Sequence, residues 1–348
     1  RCRNITLRPR DGSGSGPTPV GITERKSSEM GQTFEIDEHQ KGRRLDKVLK
    51  SRWPDLPLAA LMRYFRKKQV RLDKRPARYD DRVEAGQVVF VPWDDPAKTP
   101  THAVSTTEGA RPFIELIYTD SEICVVNKPW NLLTQPAVKS DDSVVGRVAS
   151  TLAWKEKNFY PTAAHRLDRN TSGVLLVALS GPSLRALHKM WRENELRKSY
   201  LAIVKGVPEK GGVIKSQLEK DTSRNVALTV REGGKYSETR YSRIETDGHV
   251  SLISVELVTG RPHQVRVHLA EAGHPLVGDV KYGDFRMNAE WKKVGVTRPL
   301  LHARRILFPG NIPAPLEYLG GRSFAAIPPG DFKAVLRDKG WNLYRDRV

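Results

Sequence analysis

The chain has 348 residues, 38% of them hydrophobic, which suits two domains or one large one and leaves enough apolar material for a core. Lys and Arg number 59 against 40 Asp and Glu, and the resulting net charge of +19 points to a polyanionic partner. No apolar run approaches the ~18 residues that a helical membrane span needs, and the two cysteines, Cys2 and Cys124, lack metal-ligand spacing and fit a reduced compartment better than a disulfide framework.

Residues 1–33 are rich in Gly, Ser, Pro and Arg with almost no apolar content, so a disordered tail is expected there. The chain opens on Arg1, and an arginine-bearing, acid-poor leader is compatible with organelle targeting. The expected compartment is the mitochondrion, with the cytoplasm as the alternative.

A first compact unit is expected over residues 34–93. Leu45, Val48 and Leu49 share one helical face, and Leu58, Leu61, Met62 and Phe65 repeat the i, i+3, i+4, i+7 pattern on a second helix. Val70-Arg71-Leu72 and Val88-Val89-Phe90-Val91 read as strands. Between Lys41 and Arg78 stand fourteen basic and three acidic residues, a net of +11, so over half of the excess charge is concentrated in this short stretch. Arg63, Arg66, Lys67 and Lys68 lie largely opposite the apolar stripe. The segments Gly42-Arg43-Arg44-Leu45-Asp46, Val70-Arg71-Leu72 and Gly86-Gln87-Val88-Val89 resemble the S-four-type RNA-binding domain, with Asp73-Lys74 where that family often has an Asn-Gly turn. The resemblance implies RNA contacts by Arg43, Arg44, Arg63, Arg66, Lys67 and Lys68.

Residues 94–111 have linker composition, so the basic unit is expected to be tethered to a second domain, residues 112–348, and able to move relative to it. That domain opens with two strand-like runs, Ile114 to Tyr118 and Ile123 to Asn127, leading to Lys128-Pro129-Trp130-Asn131. At its centre, Ala164-His165-Arg166-Leu167-Asp168-Arg169-Asn170-Thr171-Ser172-Gly173 runs into the apolar stretch Val174 to Leu179, which reads as a strand buried on both faces. The polar turn sets the carboxylate of Asp168 between the guanidinium groups of Arg166 and Arg169, with His165, Thr171 and Ser172 adding hydrogen-bonding atoms. A lone Asp in such a turn is usually a local backbone cap.

After this strand, Ser180 with Pro182 marks a helix start, with Leu184, Leu187 and Trp191 on its expected buried face. Lys198 to Gly206 reads as a strand, in which Tyr200 by itself is a core aromatic. Val250 to Val258 continues the sheet into Thr259-Gly260-Arg261-Pro262-His263-Gln264-Val265-Arg266-Val267-His268, a helix whose basic start suits an anion.

Taken together, His165-Arg166-Leu167-Asp168 with Thr171-Ser172-Gly173, the Lys128-Pro129 pair, Lys198-Ser199-Tyr200 and Gly260-Arg261-Pro262-His263-Gln264-Val265-Arg266-Val267-His268 resemble the signature motifs of the RluA-type pseudouridine synthases. Asn131 stands where that family has a Gly, and Asn tolerates a left-handed backbone better than most residues. The resemblance implies an α+β fold with a mixed, mostly antiparallel sheet, and isomerisation of uridine in RNA, most naturally ribosomal RNA, by a monomer outside a ribonucleoprotein. It implies catalytic Asp168 paired with Arg266, and Tyr200 beneath the flipped uracil. Arg166, His165, Thr171, Lys128, Arg261 and His263 would contact substrate, with no cofactor and no metal. An RNA-binding ribosome-assembly factor retaining the fold is the other reading; it is disfavoured by the joint presence of Asp168, Tyr200 and Arg266. A two-metal nuclease or nucleotidyl transferase lacks its paired acidic cluster.

Overall fold

The computed structural model describes residues 31–93, 112–138, 140–156, 158–221 and 226–342. The linker expected over 94–111 lies outside the described residues, as does the expected tail up to residue 30. Residues 32 and 33 depart from that tail, because a strand, β1 (Gln32–Glu35), already begins there. It pairs antiparallel with the apolar strand at the end of the first domain, and its Phe34 ring packs edge-on against Trp53 at 5.8 Å.

The first domain follows with α1 (Leu45–Arg52), α2 (Leu58–Arg66), β2 (Arg71–Leu72), β3 (Arg75–Pro76) and β4 (Val88–Val91), its sheet ordered β1-β4-β2-β3. Its core, built on Leu45, Leu49, Leu61, Phe65, Val70, Val89 and Val91, contains only residues of this domain. Leu58 departs from the expected seam: at the first position of α2 it is 57% exposed, while Leu61 and Phe65 one and two turns later are buried. The β2–β3 loop has both Asp73 and Lys74 at positive φ, +48° and +67°, the conformation a two-residue hairpin requires. The Asp73 carboxylate holds it by accepting from the Val88 N–H and from Gln87 Nε2, both at 2.9 Å. Side-chain anchoring thus replaces the Asn-Gly pair.

The second domain runs β5 (Leu116–Thr119), β6 (Ile123–Lys128), α3 (Val144–Thr151), β7 (Thr162–Ala163), β8 (Ser172–Ala178), α4 (Gly181–Arg192), β9 (Arg197–Lys205), β10 (Gly211–Asp221), β11 (Val226–Val230), β12 (Lys235–Thr246), β13 (Val250–Leu257), α5 (Gln264–Glu271), α6 (Phe285–Lys293), β14 (Leu301–Leu307), β15 (Ser323–Ala325) and α7 (Gly330–Asp338). The sheet is ordered β11-β10-β12-β13-β9-β14-β8-β6-β5, with β15 on β14 and β7 on β8. Among the described residues β8 and β14 form its parallel pair and the other pairings are antiparallel. The α+β, mostly antiparallel expectation holds.

Strand β8 is buried at every position, and its alternate residues serve two cores. Leu175 and Val177 face the cluster that contains α3, Tyr200 and the apolar side of α5, whereas Val174, Leu176 and Ala178 face the cluster under α4. Ser180 caps α4 as expected, accepting from the Ser183 N–H. The buried face of α4 is rotated from the expected one, however, to Ser183, Ala186, Leu187 and Met190, leaving Leu184 and Trp191 half-buried. The N-terminal end of α4 also meets the first domain. The Gly181 N–H donates to His39 Nδ1 at 3.4 Å, Arg185 donates to the Glu38 carbonyl, and the His39 ring lies 5.7 Å from Phe159.

Where β8 begins, Gly173 has φ +116°, and a Cβ there would meet the Ala303 carbonyl oxygen at 2.1 Å. The close approach of β8 to β14, the parallel pairing in which Gly173 faces Ala303, therefore excludes any side chain. Gly173→Ala is expected to destabilise the protein by about 3 kcal/mol or more, through strain and displaced backbone. Chemical denaturation checks this, and a midpoint equal to that of the wild type would show that β14 does not press on residue 173.

Candidate active site

The polar turn before β8 is held by its own carbonyl groups. The Leu167 carbonyl accepts from Thr134 Oγ1 at 3.0 Å and that of Asp168 accepts from the Thr171 N–H at 3.0 Å. Those of Arg169 and Thr171 both accept from Lys128 Nζ at 2.9 Å, and the Asn170 carbonyl accepts from Arg298 Nη1 at 3.2 Å. Every peptide oxygen from 167 to 171 is thus taken, which fixes the backbone that carries Asp168.

Lys128 is therefore not the substrate contact expected of it. It is fully buried at the end of β6, and its third N–H goes to the Pro129 carbonyl at 3.0 Å, so the geometry matches all three donors of an ammonium group. Burial pushes its amine down to about 7, while the negative charge of Asp168 acts to raise it. His165 is corrected in the same way. Its Nε2 accepts from the Leu176 N–H at 3.1 Å and its ring stacks on Trp191 at 4.2 Å, within the core rather than at the site. Burial, helped by the charge of Lys198, pushes this imidazole down to about 3, so it is neutral and has no charge to offer a phosphate. Thr171 is buried too, and its hydrogen bonds run through its backbone. These residues alternate with exposed ones because the turn has an inner and an outer side: Arg166 and Arg169 point outward, exposed, and Asp168 lies between, with 30% of its side chain accessible.

Helix α5 delivers the groups that face Asp168. Arg266 Nη1 donates to Asp168 Oδ2 at 3.2 Å, while its Nε and Nη2 clamp Asp279 at 2.7 and 2.8 Å. Burial acts against the Arg266 charge, but hydrogen bonds and the charge of Asp279, then those of Asp168, outweigh it and hold the guanidinium pKa above its ordinary value. His263 caps α5 in a left-handed conformation with φ +55°. Its Nε2 is 3.8 Å from Asp168 Oδ2, and its Nδ1 is 2.8 Å from the Tyr282 hydroxyl. Burial lowers the His263 pKa, with Arg266 and Lys281 acting in the same direction against the two aspartates. Tyr200, on β9, is buried in the main core within electrostatic reach of Asp168; burial first, then that charge, raises its phenol pKa. Asp168 Oδ1 has no hydrogen bond among the described residues, leaving one carboxylate oxygen open.

Asp279, Tyr282, Thr134 and Arg298 do not stand out as site residues in the sequence. Lys281 and Tyr282 follow Asp279 closely and their N–H groups bond its Oδ1 at 2.9 and 3.2 Å, but no local pattern reveals its guanidinium partner thirteen residues away. Arg261 donates through Nε to the Tyr236 carbonyl at 3.1 Å, just ahead of α5. Asn131 has φ +59°, so the turn expected of a Gly survives.

Residues 122–271, which carry the turn, Tyr200 and Arg266, match the RNA pseudouridylate synthase family. The chain belongs to that family. It is 34% identical over 297 residues to "Ribosomal large subunit pseudouridine synthase C" of Haemophilus ducreyi, covering 82% of this chain and 90% of that protein. It is 33% identical over 300 residues to the Escherichia coli protein of the same name, covering 81% and 92%. Among solved structures, "Human RNA Pseudouridylate Synthase Domain Containing 4" superposes with a TM-score of 0.52 over 64% of this chain and 92% of that one; at 24% identity this is a likeness of fold. The chain is thus an RNA pseudouridine synthase, and the Asp168 turn, β9 and α5 lie together where an open carboxylate meets a buried guanidinium.

Removing Arg266 would leave Asp279, with 1% of its side chain accessible, as an uncompensated buried charge. Arg266→Met in this synthase is expected to cost about 3–5 kcal/mol of stability and to lower activity, since Asp168 loses its tether. Thermal unfolding and turnover, measured together, check it; unchanged melting with unchanged activity would rule out the bridge.

Proposed function

We propose that the synthase isomerises uridine in ribosomal RNA, with Asp168 as the reacting carboxylate. The observation that carries this reading is the asymmetry of Asp168: Oδ2 is held by Arg266 while Oδ1 is open at a half-buried, rigid position. The ribosomal substrate rests on the names of the relatives, and on the basic first domain.

The reaction breaks the bond between the anomeric carbon of the sugar and the ring nitrogen, turns the uracil and bonds the same carbon to a ring carbon, whose proton is lost as the nitrogen gains one. The target base must first leave its stack, at a cost of a few kcal/mol that pocket contacts offset. Asp168 acts at the sugar through Oδ1, as nucleophile on the anomeric carbon or as base at its neighbour; both routes use one ionised carboxylate and the same orientation. Arg266 keeps that orientation, and Tyr200 forms the apolar floor under the ring, limiting the access of water. The raised pKa of Tyr200 keeps its phenol protonated in this role. Arg166, exposed beside Asp168, fills the space left by the extracted base or holds its phosphate.

The first domain is read as an S-four-like RNA anchor. Arg63, Arg66, Lys67 and Lys68 are all exposed along one end of α2, whereas Arg43 and Arg44 are half-buried. Arg44 is bound to Asp46 at 2.9 Å, and burial lowers the pKa of Arg43 near Arg185. The outward contacts to phosphate are therefore assigned to the exposed four.

Asp168→Asn preserves shape but removes the charge, and is expected to reduce pseudouridine formation by about a thousandfold or more with the fold retained. Product analysis on ribosomal RNA from cells lacking the protein tests it. Residual turnover within a factor of ten of the wild type would refute the assignment.

Replacing Arg63, Arg66, Lys67 and Lys68 by Ala together is expected to flatten the dependence of RNA affinity on salt, by about 0.7 in log–log slope for each phosphate that is no longer neutralised. Titrations across a range of salt concentrations check this, and an unaltered slope would remove the first domain as the anchor.

A further inference from the structure

We propose that Trp130 is a stacking platform for the nucleobase next to the flipped uridine, an inference that rests on the reading of the site as a uridine-flipping centre. Trp130 follows Lys128-Pro129, and Lys128 Nζ binds the carbonyls of Arg169 and Thr171, so the loop bearing the indole is fastened to the turn bearing Asp168. A second link runs through Arg298. This guanidinium, 1% exposed, donates to the Asn170 carbonyl at 3.2 Å and lies 5.7 Å from the Trp130 ring centroid. Its charge is neutralised by Asp331 at the start of α7, at 2.6 and 2.8 Å. One face of the indole is thereby backed by a buried, fully anchored cation, and the following residue is held in a left-handed turn at Asn131.

Trp130 is nevertheless 39% exposed, although the size and apolarity of its ring favour burial. An aromatic ring with a free surface, on a loop fastened to the turn that carries the exposed Arg166 and Arg169, has the composition of a single-strand nucleic-acid contact: cations for the backbone and a ring for a base. The chemistry of flipping supplies the ligand. When the target uracil leaves its stack, each neighbouring base loses a stacking partner on one side, and an indole beside the turn replaces it. Because every base has a π-face, the contact tolerates any neighbour and strengthens binding without encoding sequence.

The competing account is that the ring is only a lid over Arg298, and the test separates the two. Affinities are measured in the Asp168→Asn background, which prevents turnover, for a hairpin of large-subunit ribosomal RNA that the protein binds and that carries a loop uridine. The hairpin is used intact, and with an abasic nucleotide either just before or just after that uridine. With Trp130 present, one of the two abasic hairpins is expected to bind about tenfold more weakly than the intact one. Trp130→Leu, which still covers Arg298, is expected to lose about tenfold on the intact hairpin and to become indifferent to that abasic position, while Trp130→Tyr restores the sensitivity. Unaltered affinity in Trp130→Leu, or a lowered melting temperature with abasic sensitivity intact, would overturn the proposal. Turnover of the same hairpin by the protein with Asp168 intact is scored separately. Its absence would count against the uridine-flipping reading, whereas the abasic comparison decides the role of the indole from binding alone.

Discussion

The site depends on how the backbone of residues 167–171 is held. A turn of five residues between strands would ordinarily be among the more mobile parts of a domain, because its carbonyls face water. Here all five carbonyls accept hydrogen bonds from within the protein, three of them from the buried cations Lys128 and Arg298. Burying two cations is costly unless each donor is used. Arg298 is offset by the bidentate contact with Asp331, and Lys128 by three carbonyl oxygens together with the nearby charge of Asp168. The cost of burial is thus converted into a backbone with one conformation, and Asp168 inherits its position.

The same logic of charge operates among the side chains. Arg266 joins two carboxylates, one sealed and one open, and the difference between them defines their uses. Asp279 has 1% of its side chain accessible and binds backbone N–H groups besides the guanidinium, so it anchors. Asp168 has 30% accessible and one oxygen without a protein partner among the described residues, so it can meet a ligand. The helix that carries Arg266 is itself tied down by His268, whose ring is 2.9 Å from the hydroxyls of Ser216 and Ser237 on one side and of Thr239 on the other. Burial pushes this imidazole down to about 4, so the tie is made by a neutral ring and adds no competing charge to the site.

The first domain shows the opposite use of charge. Its core is self-contained, and its cations on α2 stay in solvent, where they escape the penalty of desolvation. Among the described residues it meets the second domain at Gly181, where a Cβ would meet the His39 carbonyl at 2.3 Å, and where the His39 ring lies against Phe159. On the function proposed above, long-range attraction of RNA and local chemistry on one nucleotide fall to different domains of the same chain.

Much of this was legible in the chain itself, because the relevant signals are local. The apolar run from Val174 to Leu179 named the central strand, Ser180 and Pro182 the helix start, and Asn131 the left-handed turn; the motif strings marked Asp168, Tyr200 and Arg266. What periodicity and motif could not give was the direction of each side chain in the turn. His165 and Lys128 look from the sequence like ligands for an anion, yet tertiary packing turns His165 under Leu176 and onto Trp191, and Lys128 into the carbonyls of the turn. Asp279 and Arg298 acquire their roles only across 13 and 128 residues of chain, through contacts with Arg266 and Asn170. Local sequence determines which backbone conformations are cheap, but whether a polar group serves the fold or faces the substrate is decided by which distant groups close over it.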